Sequence, residues 1–250
     1  MALSDVSFSI RPGEVLGVIG PNGSGKTTLF ACLGGVLPAD QGTVLEDARA
    51  LTLSERRRRV FYLPDAITPW PAQTVRWALD FAVGFFGAAP SRLRPDSVPA
   101  QSRVRPGSVP GPSPGEVVQE LDLGPLLDFT IGSLSKGQRK RVLLGIGLLT
   151  PQPVLLADEP FDGLDLRQTR DVARTLRAHA SAGRTLLLSI HQISDAARVC
   201  DRFVLLGGGR VCGEGTLDEL SAVARRRRDE TADRPPYADN DLEEVFLALT

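Results

Sequence analysis

Eight residues, Gly20-Pro21-Asn22-Gly23-Ser24-Gly25-Lys26-Thr27, restrict this chain more than any other stretch. They fit the pattern G-x-x-x-x-G-K-[ST]. They also lie where that pattern has meaning, between the apolar, branched run Val15 to Ile19 and the helix-like spacing of Thr27 to Leu37. Strand, loop and helix in this order form a phosphate-binding loop. Glycines let the backbone wrap an anion, so that successive N–H groups and the helix N-terminus face the phosphates. Lys26 then reaches the terminal phosphate oxygens and Thr27 ligates Mg²⁺. Of 29 basic residues only three are lysines, Lys26, Lys136 and Lys140. A lysine at position 26 of an arginine-rich chain fits a need for a compact point charge.

The rest of the chain alternates in the same way. Val60 to Leu63 and Val154 to Ala157 read as short buried strands, Thr185 to Ile190 as a third, and Arg202 to Leu206 with Arg210 to Cys212 as strands around a glycine triplet. Thr74 to Phe86, Lys136 to Leu149, Leu166 to Ala182, Ser194 to Cys200, Leu217 to Ala224 and Asp241 to Leu249 have helical spacing. This predicts an α/β fold: a P-loop NTPase core with a largely parallel sheet flanked by helices. Between Ala88 and Gly115 seven prolines stand among Ser, Gly and Arg, a composition that predicts a disordered insertion.

Composition narrows the function. A net charge of -1 leaves no general basic field for nucleic acid or anionic membrane. No stretch reaches the roughly 18 to 20 apolar residues that span a bilayer. Three widely spaced cysteines and an N-terminus without a signal-like pattern fit a reducing cytoplasm.

Two further segments carry chemistry. Val154-Leu155-Leu156-Ala157-Asp158-Glu159-Pro160 is an apolar strand ending in two carboxylates, at the edge where open α/β sheets bind ligands. Asp158 would hold Mg²⁺ through water, and Glu159 would align the attacking water. In Leu134-Ser135-Lys136-Gly137-Gln138-Arg139-Lys140-Arg141 four basic residues crowd a helix start, where each opposes the macrodipole by ~0.3 to 1 kcal/mol. Either solvent screens them or an anion belongs there.

Taken in order, the phosphate loop, Leu-Ser-Lys-Gly-Gln, Ala-Asp-Glu-Pro, Gly163-Leu164-Asp165 and Ser189-Ile190-His191 resemble the ATP-binding subunit of an ABC transporter. The resemblance covers Ala2 to about Gly87 and Glu116 to Thr250. It implies a core at 1–69 and 150–250 and a smaller helical signature subdomain at 70–149 that contains the 88–115 insertion. ATP would be bound by Gly20, Pro21, Asn22, Gly23, Ser24, Gly25, Lys26, Thr27 and Thr28. The signature, Leu134, Ser135, Lys136, Gly137 and Gln138, would touch the ATP of a second subunit. Asp165 would lie in the dimer loop, and His191 would contact the γ-phosphate and steady Glu159, so that Lys26, Glu159 and His191 form the catalytic set. His179, on a helix expected to be exposed, is read as structural. The tail Leu242 to Thr250 resembles ABC-2 type exporter ATPases of the drug-resistance branch, or is simply an amphipathic closing helix.

Three departures stand out. The chain opens at Ala2-Leu3-Ser4-Asp5-Val6-Ser7-Phe8, where such subunits carry a preceding strand with an adenine-stacking aromatic, and Phe8 is poorly placed to replace it. Asp65 stands where the family has a glutamine that senses Mg²⁺, which makes it a candidate metal ligand whose replacement should alter Mg²⁺ dependence. Lys136 replaces a signature glycine. The expected protein is an ATPase using ATP and Mg²⁺, cytoplasmic and peripheral on the inner face of the membrane. It would pair as a homo- or heterodimer and drive export through a separate transmembrane subunit, with no nucleic acid as partner. The alternative is a low-turnover regulatory subunit in a heteromeric complex.

Overall fold

The structure is a computed structural model that describes residues 2–65, 67–86, 112–229 and 242–249. Of the insertion expected at 88–115, residues 88–111 lie outside the described residues. Its C-terminal boundary moves: helical structure resumes at Pro114 rather than Glu116, because Ser113 and Glu116 form a capping box with proline in the first turn.

In chain order the elements are β1 (Val15–Ile19), α1 (Lys26–Leu33), β2 (Leu45–Glu46), β3 (Arg49–Ala50), α2 (Leu53–Arg59), β4 (Val60–Leu63), α3 (Val75–Phe86), α4 (Pro114–Glu120), α5 (Lys136–Leu148), β5 (Val154–Asp158), α6 (Leu166–Ser181), β6 (Thr185–Ile190), α7 (Ile193–Val199), β7 (Arg202–Gly207), β8 (Arg210–Gly215), α8 (Leu217–Asp229) and α9 (Leu242–Leu249). The main sheet has the order β4-β5-β6-β1-β7-β8, parallel throughout except for the antiparallel edge strand β8. The largely parallel sheet flanked by helices is therefore found as expected. Sequence reading missed the β2–β3 hairpin and α2, a short helix whose Thr52/Glu55 capping box precedes four arginines.

Alternation along the strands divides the core into two layers. Leu16, Val18, Leu156, Leu187, Val204 and Leu206 face Leu29 and Phe30 of α1, and this layer is completed by Leu3, Val6, Phe8 and Ile10. The intervening residues, among them Val15, Ile19, Leu155, Leu186 and Leu188, join a larger cluster that runs without a break into α3, α4 and α5. Phe8 is thus a core residue. In the closing helix α9, Leu242, Val245 and Leu249 are buried, and Leu249 approaches Gly213 of β8.

His179 corrects an expectation. It is 9% exposed, with Nε2 3.3 Å from the Glu120 carboxylate of α4. Burial pulls its pKa down, against the opposing pull of Glu120. A histidine that resists protonation when folded favours the unfolded chain once that chain can bind the proton. Its stability contribution is whole above about pH 6.5 and is lost as pH falls below it. Thermal unfolding at pH 7.5 and 5.5 should show that loss, and His179→Gln should reduce the difference between the two midpoints.

Candidate active site

The strand order gathers the chemistry. Register places Ile19 beside Ile190, Asp158 beside Ser189 and Leu63 beside Ala157, so the C-terminal ends of β1, β6, β5 and β4 form one edge. From it emerge the phosphate loop after β1, His191 after β6, Asp158–Glu159 at the end of β5 and Asp65 just beyond β4.

The phosphate loop is shaped for an anion. Gly25, in the left-handed region at φ 103°, precedes α1, and no side chain caps that helix. By contrast α2, α4, α5 and α6 each begin with a reciprocal capping box. The free N–H groups at the start of α1 suit phosphate oxygens. Thr27, in the first turn of α1, is exposed, and Thr28 is half-buried. The Lys26 ammonium is buried, 2.7 Å from the Gly20 carbonyl and 3.7 Å from Glu159 Oε1. A Cβ at Gly20 would stand 2.3 Å from the Leu206 carbonyl oxygen and 2.5 Å from Ser24 Oγ. Gly20→Ala must therefore displace the loop from β7. Equilibrium dialysis should show ATP affinity falling by at least about tenfold, equivalent to about 1.4 kcal/mol.

Asp158 is 2% exposed. One carboxylate oxygen accepts a hydrogen bond from Ser189, and Oδ2 is buried without a partner. A buried carboxylate oxygen without a donor is costly and suits a cation. Together with the Thr27 hydroxyl it fits Mg²⁺, a hard ion that takes few protein oxygens and relies on water and phosphate for the rest. Burial, then the charge of Asp158 and the approach of the phenol to its carboxylate, and last the charge of Asp65, push the neighbouring Tyr62 phenol well above its usual range.

Glu159 occupies a strained position, with φ 49° in the left-handed region, of order 1–3 kcal/mol for such a residue. Its N–H donates to the Ser189 carbonyl and hydroxyl oxygens. Its Oε2 lies 2.5 Å from His191 Nδ1 and accepts from the His191 N–H at 3.2 Å. The carboxylate therefore bridges Lys26 and His191.

The signature packs elsewhere. Ser135 caps α5 and exchanges hydrogen bonds with Gln138, while Leu134 is buried. A Cβ at Gly137 would lie 2.5 Å from the Gly163 carbonyl oxygen, so the signature rests on the loop after β5. Asp165 caps α6 with Gln168. The crowded positive charge at the start of α5 finds its anions inside the protein: Lys136 pairs with Asp162 at 2.5 Å, Lys140 with Asp65 at 2.5 Å and Arg141 with Asp122 at 3.2 Å. The Lys136 bond draws the Asp162 carboxyl below its usual range. Tyr62, Ser189 and Asp162 escaped sequence reading as site residues. Only Ser189 carried a signal, as a member of a quoted motif.

Residues 3–162, well over half the chain, match the ABC transporter family. The chain belongs to that family. Among curated relatives of this ABC subunit is the hemin import ATP-binding protein HmuV of Pseudomonas fluorescens (strain Pf0-1), 36% identical over 83% of this chain and 78% of the relative. Another is the lipopolysaccharide export system ATP-binding protein LptB of Haemophilus influenzae, 28% identical over 87% of this chain and 86% of the relative. A solved ATP-binding subunit of an ABC transporter superposes with a TM-score of 0.75 at 26% identity, covering 99% of this chain and 92% of that one. The protein is an ATP-binding, ATP-hydrolysing energy-coupling subunit of an ABC transporter.

Proposed function

We propose that this ATPase works as a head-to-tail dimer on a separate transmembrane subunit at the cytoplasmic face of the membrane, and that it drives export. The core would be 1–69 with 150–250, and 70–149 the signature lobe. One observation carries the catalytic part: Glu159 is held between Lys26 and His191 beside a buried carboxylate oxygen of Asp158 that has no partner. Mg²⁺, when bound through Thr27 and Asp158, would neutralise charge on the transferred phosphoryl group. Lys26 and the α1 amides would hold the phosphates, Glu159 would orient the attacking water, and His191 would fix the Glu159 carboxylate.

Three features support partners. Ser135 and Gly137 lie at the start of α5 beside the Gly163 loop, which suits a role toward a second subunit's nucleotide. Among the described residues no helix is long and apolar enough to cross a membrane. Trp77 stacks on Phe81, and Phe81 on Phe85, with Trp70 edge-on to the first pair. This aromatic ladder on α3, partly open to solvent and closely following Asp65, has the composition of an interface. The export direction rests on the tail's resemblance, since the named relatives include both an importer and an exporter. Light scattering on Glu159→Gln tests the dimer: MgATP should double the mass, and a monomer with ATP bound would reject the homodimer. Uptake and efflux by vesicles containing the reconstituted complex test direction.

A further inference from the structure

Lys140 is 3% exposed, and its ammonium lies 2.5 Å from Asp65 Oδ1 and 3.5 Å from the Asp158 carbonyl oxygen. It thus reaches from α5 to the C-terminal ends of both β4 and β5. The preceding residue grips the same loop, since Arg139 donates to the Thr68 hydroxyl at 2.7 Å and to the Leu134 carbonyl at 3.2 Å. All three lysines of the chain in fact end on carboxylates of this edge: Lys26 on Glu159, Lys136 on Asp162, Lys140 on Asp65. Lys140 is distinct in being buried while lying outside the phosphate loop, on the helix that carries the signature.

We propose that Lys140 is a positioning residue of the ATPase: its ion pair with Asp65 ties the loop after β4 to the signature helix, and Lys140 rather than Mg²⁺ is the working counter-ion of Asp65. The proposal rests on the ATPase reading of the site. A buried ammonium needs a partner within hydrogen-bond reach, and Asp65 supplies it. A glutamine at 65 offers no charge to offset the ammonium. The aspartate at this position is therefore matched to the lysine on α5, and the departure from the family pattern at 65 has its complement at 140. An α5 that shifts relative to the sheet must carry the Asp65 loop with it or leave a buried ammonium without its carboxylate.

The test compares Asp65→Gln, Lys140→Gln, Lys140→Arg and the double variant Asp65→Gln/Lys140→Gln. Four readouts are taken: the thermal midpoint of the nucleotide-free protein, binding of a fluorescent ATP analogue, half-saturating Mg²⁺ for that binding, and kcat and KM. Each Gln single variant should lower the midpoint and cut kcat by about 10- to 100-fold, as loss of an outer-shell partner does, with KM within about threefold of wild type. Lys140→Arg should retain most of kcat. The double variant should recover midpoint and kcat well above either single one, and half-saturating Mg²⁺ should stay at the wild-type value. If only the double variant folds, the coupling is upheld in its strongest form. Additive losses in the double variant overturn the proposal. So does a Mg²⁺ shift confined to Asp65→Gln, which would make Asp65 a metal ligand. Wild-type protein that binds no ATP analogue would instead refute the ATPase reading, whatever the midpoints show.

Discussion

Glu159→Gln is expected to bind ATP with near wild-type affinity and to lose hydrolysis by at least about a hundredfold, the scale for a positioned general base. The amide keeps the size of the side chain, so the strained backbone at φ 49° and its hydrogen bonds to Ser189 need not change. What changes is charge. The carboxylate that faces Lys26 at 3.7 Å and His191 at 2.5 Å becomes neutral and can no longer accept a proton from water. In the proposed mechanism phosphate binding depends on the α1 amides, Lys26 and Thr27, none of which the substitution alters, so kcat should fall while the dissociation constant for ATP holds. Single-turnover hydrolysis with equilibrium binding measures both. Wild-type turnover would remove Glu159 from its role, and loss of both activities would mean that it supports the loop rather than the water.

The largest expected effect on stability is at Arg184, far from the chemistry. Its guanidinium is 3% exposed and donates to the carbonyls of Leu148 and Gly147 and to the Thr150 hydroxyl, at 2.8 to 2.9 Å. These acceptors lie at the C-terminal end of α5, where the Gly147 carbonyl also accepts from Thr150 and where positive charge meets the negative end of the helix dipole. Burial lowers the Arg184 pKa to about 10, still far above neutrality, so the group remains charged. Arg184→Ala removes the donors, leaves the buried Leu148 carbonyl without its guanidinium partner and opens a cavity. It should cost about 3 kcal/mol or more, read as a shift in urea midpoint with unchanged slope. Arg184→Lys should recover part of this. A midpoint equal to wild type in the alanine variant would mean that α5 ends satisfactorily without it.

The phosphate loop was legible because its requirements are local. Glycine spacing, Lys26, Thr27 and the flanking strand and helix all lie within one short segment. The strands and most helices were legible for the same reason, since apolar periodicity records which face is buried. Their ends moved by a few residues where caps decided them, as at Ser113, where a capping box extended order into the stretch read as insertion. The hairpin β2–β3 was missed because its two-residue strands are mostly exposed and carry no apolar alternation. His179 was misjudged because helix α6 packs against α4, which a one-dimensional pattern cannot reveal.

By itself, the sequence determined the chemistry available: a phosphate loop, an acidic strand end, a signature and a histidine, in an order that specifies an ABC ATPase. Only the tertiary structure decided who faces whom. The order β4-β5-β6-β1 sets Asp65, Asp158, Glu159, His191 and Gly20 along one edge, although they are scattered over most of the chain. It also answered the puzzle of positive charge at the wrong end of α5, whose lysines meet Asp65 and Asp162 from two different loops. The physical reason is range. Caps, turns and periodicity act over a few residues and leave their mark locally, whereas nothing at positions 65 and 140, though each stood out by itself, tells that they pair until the sheet brings them together.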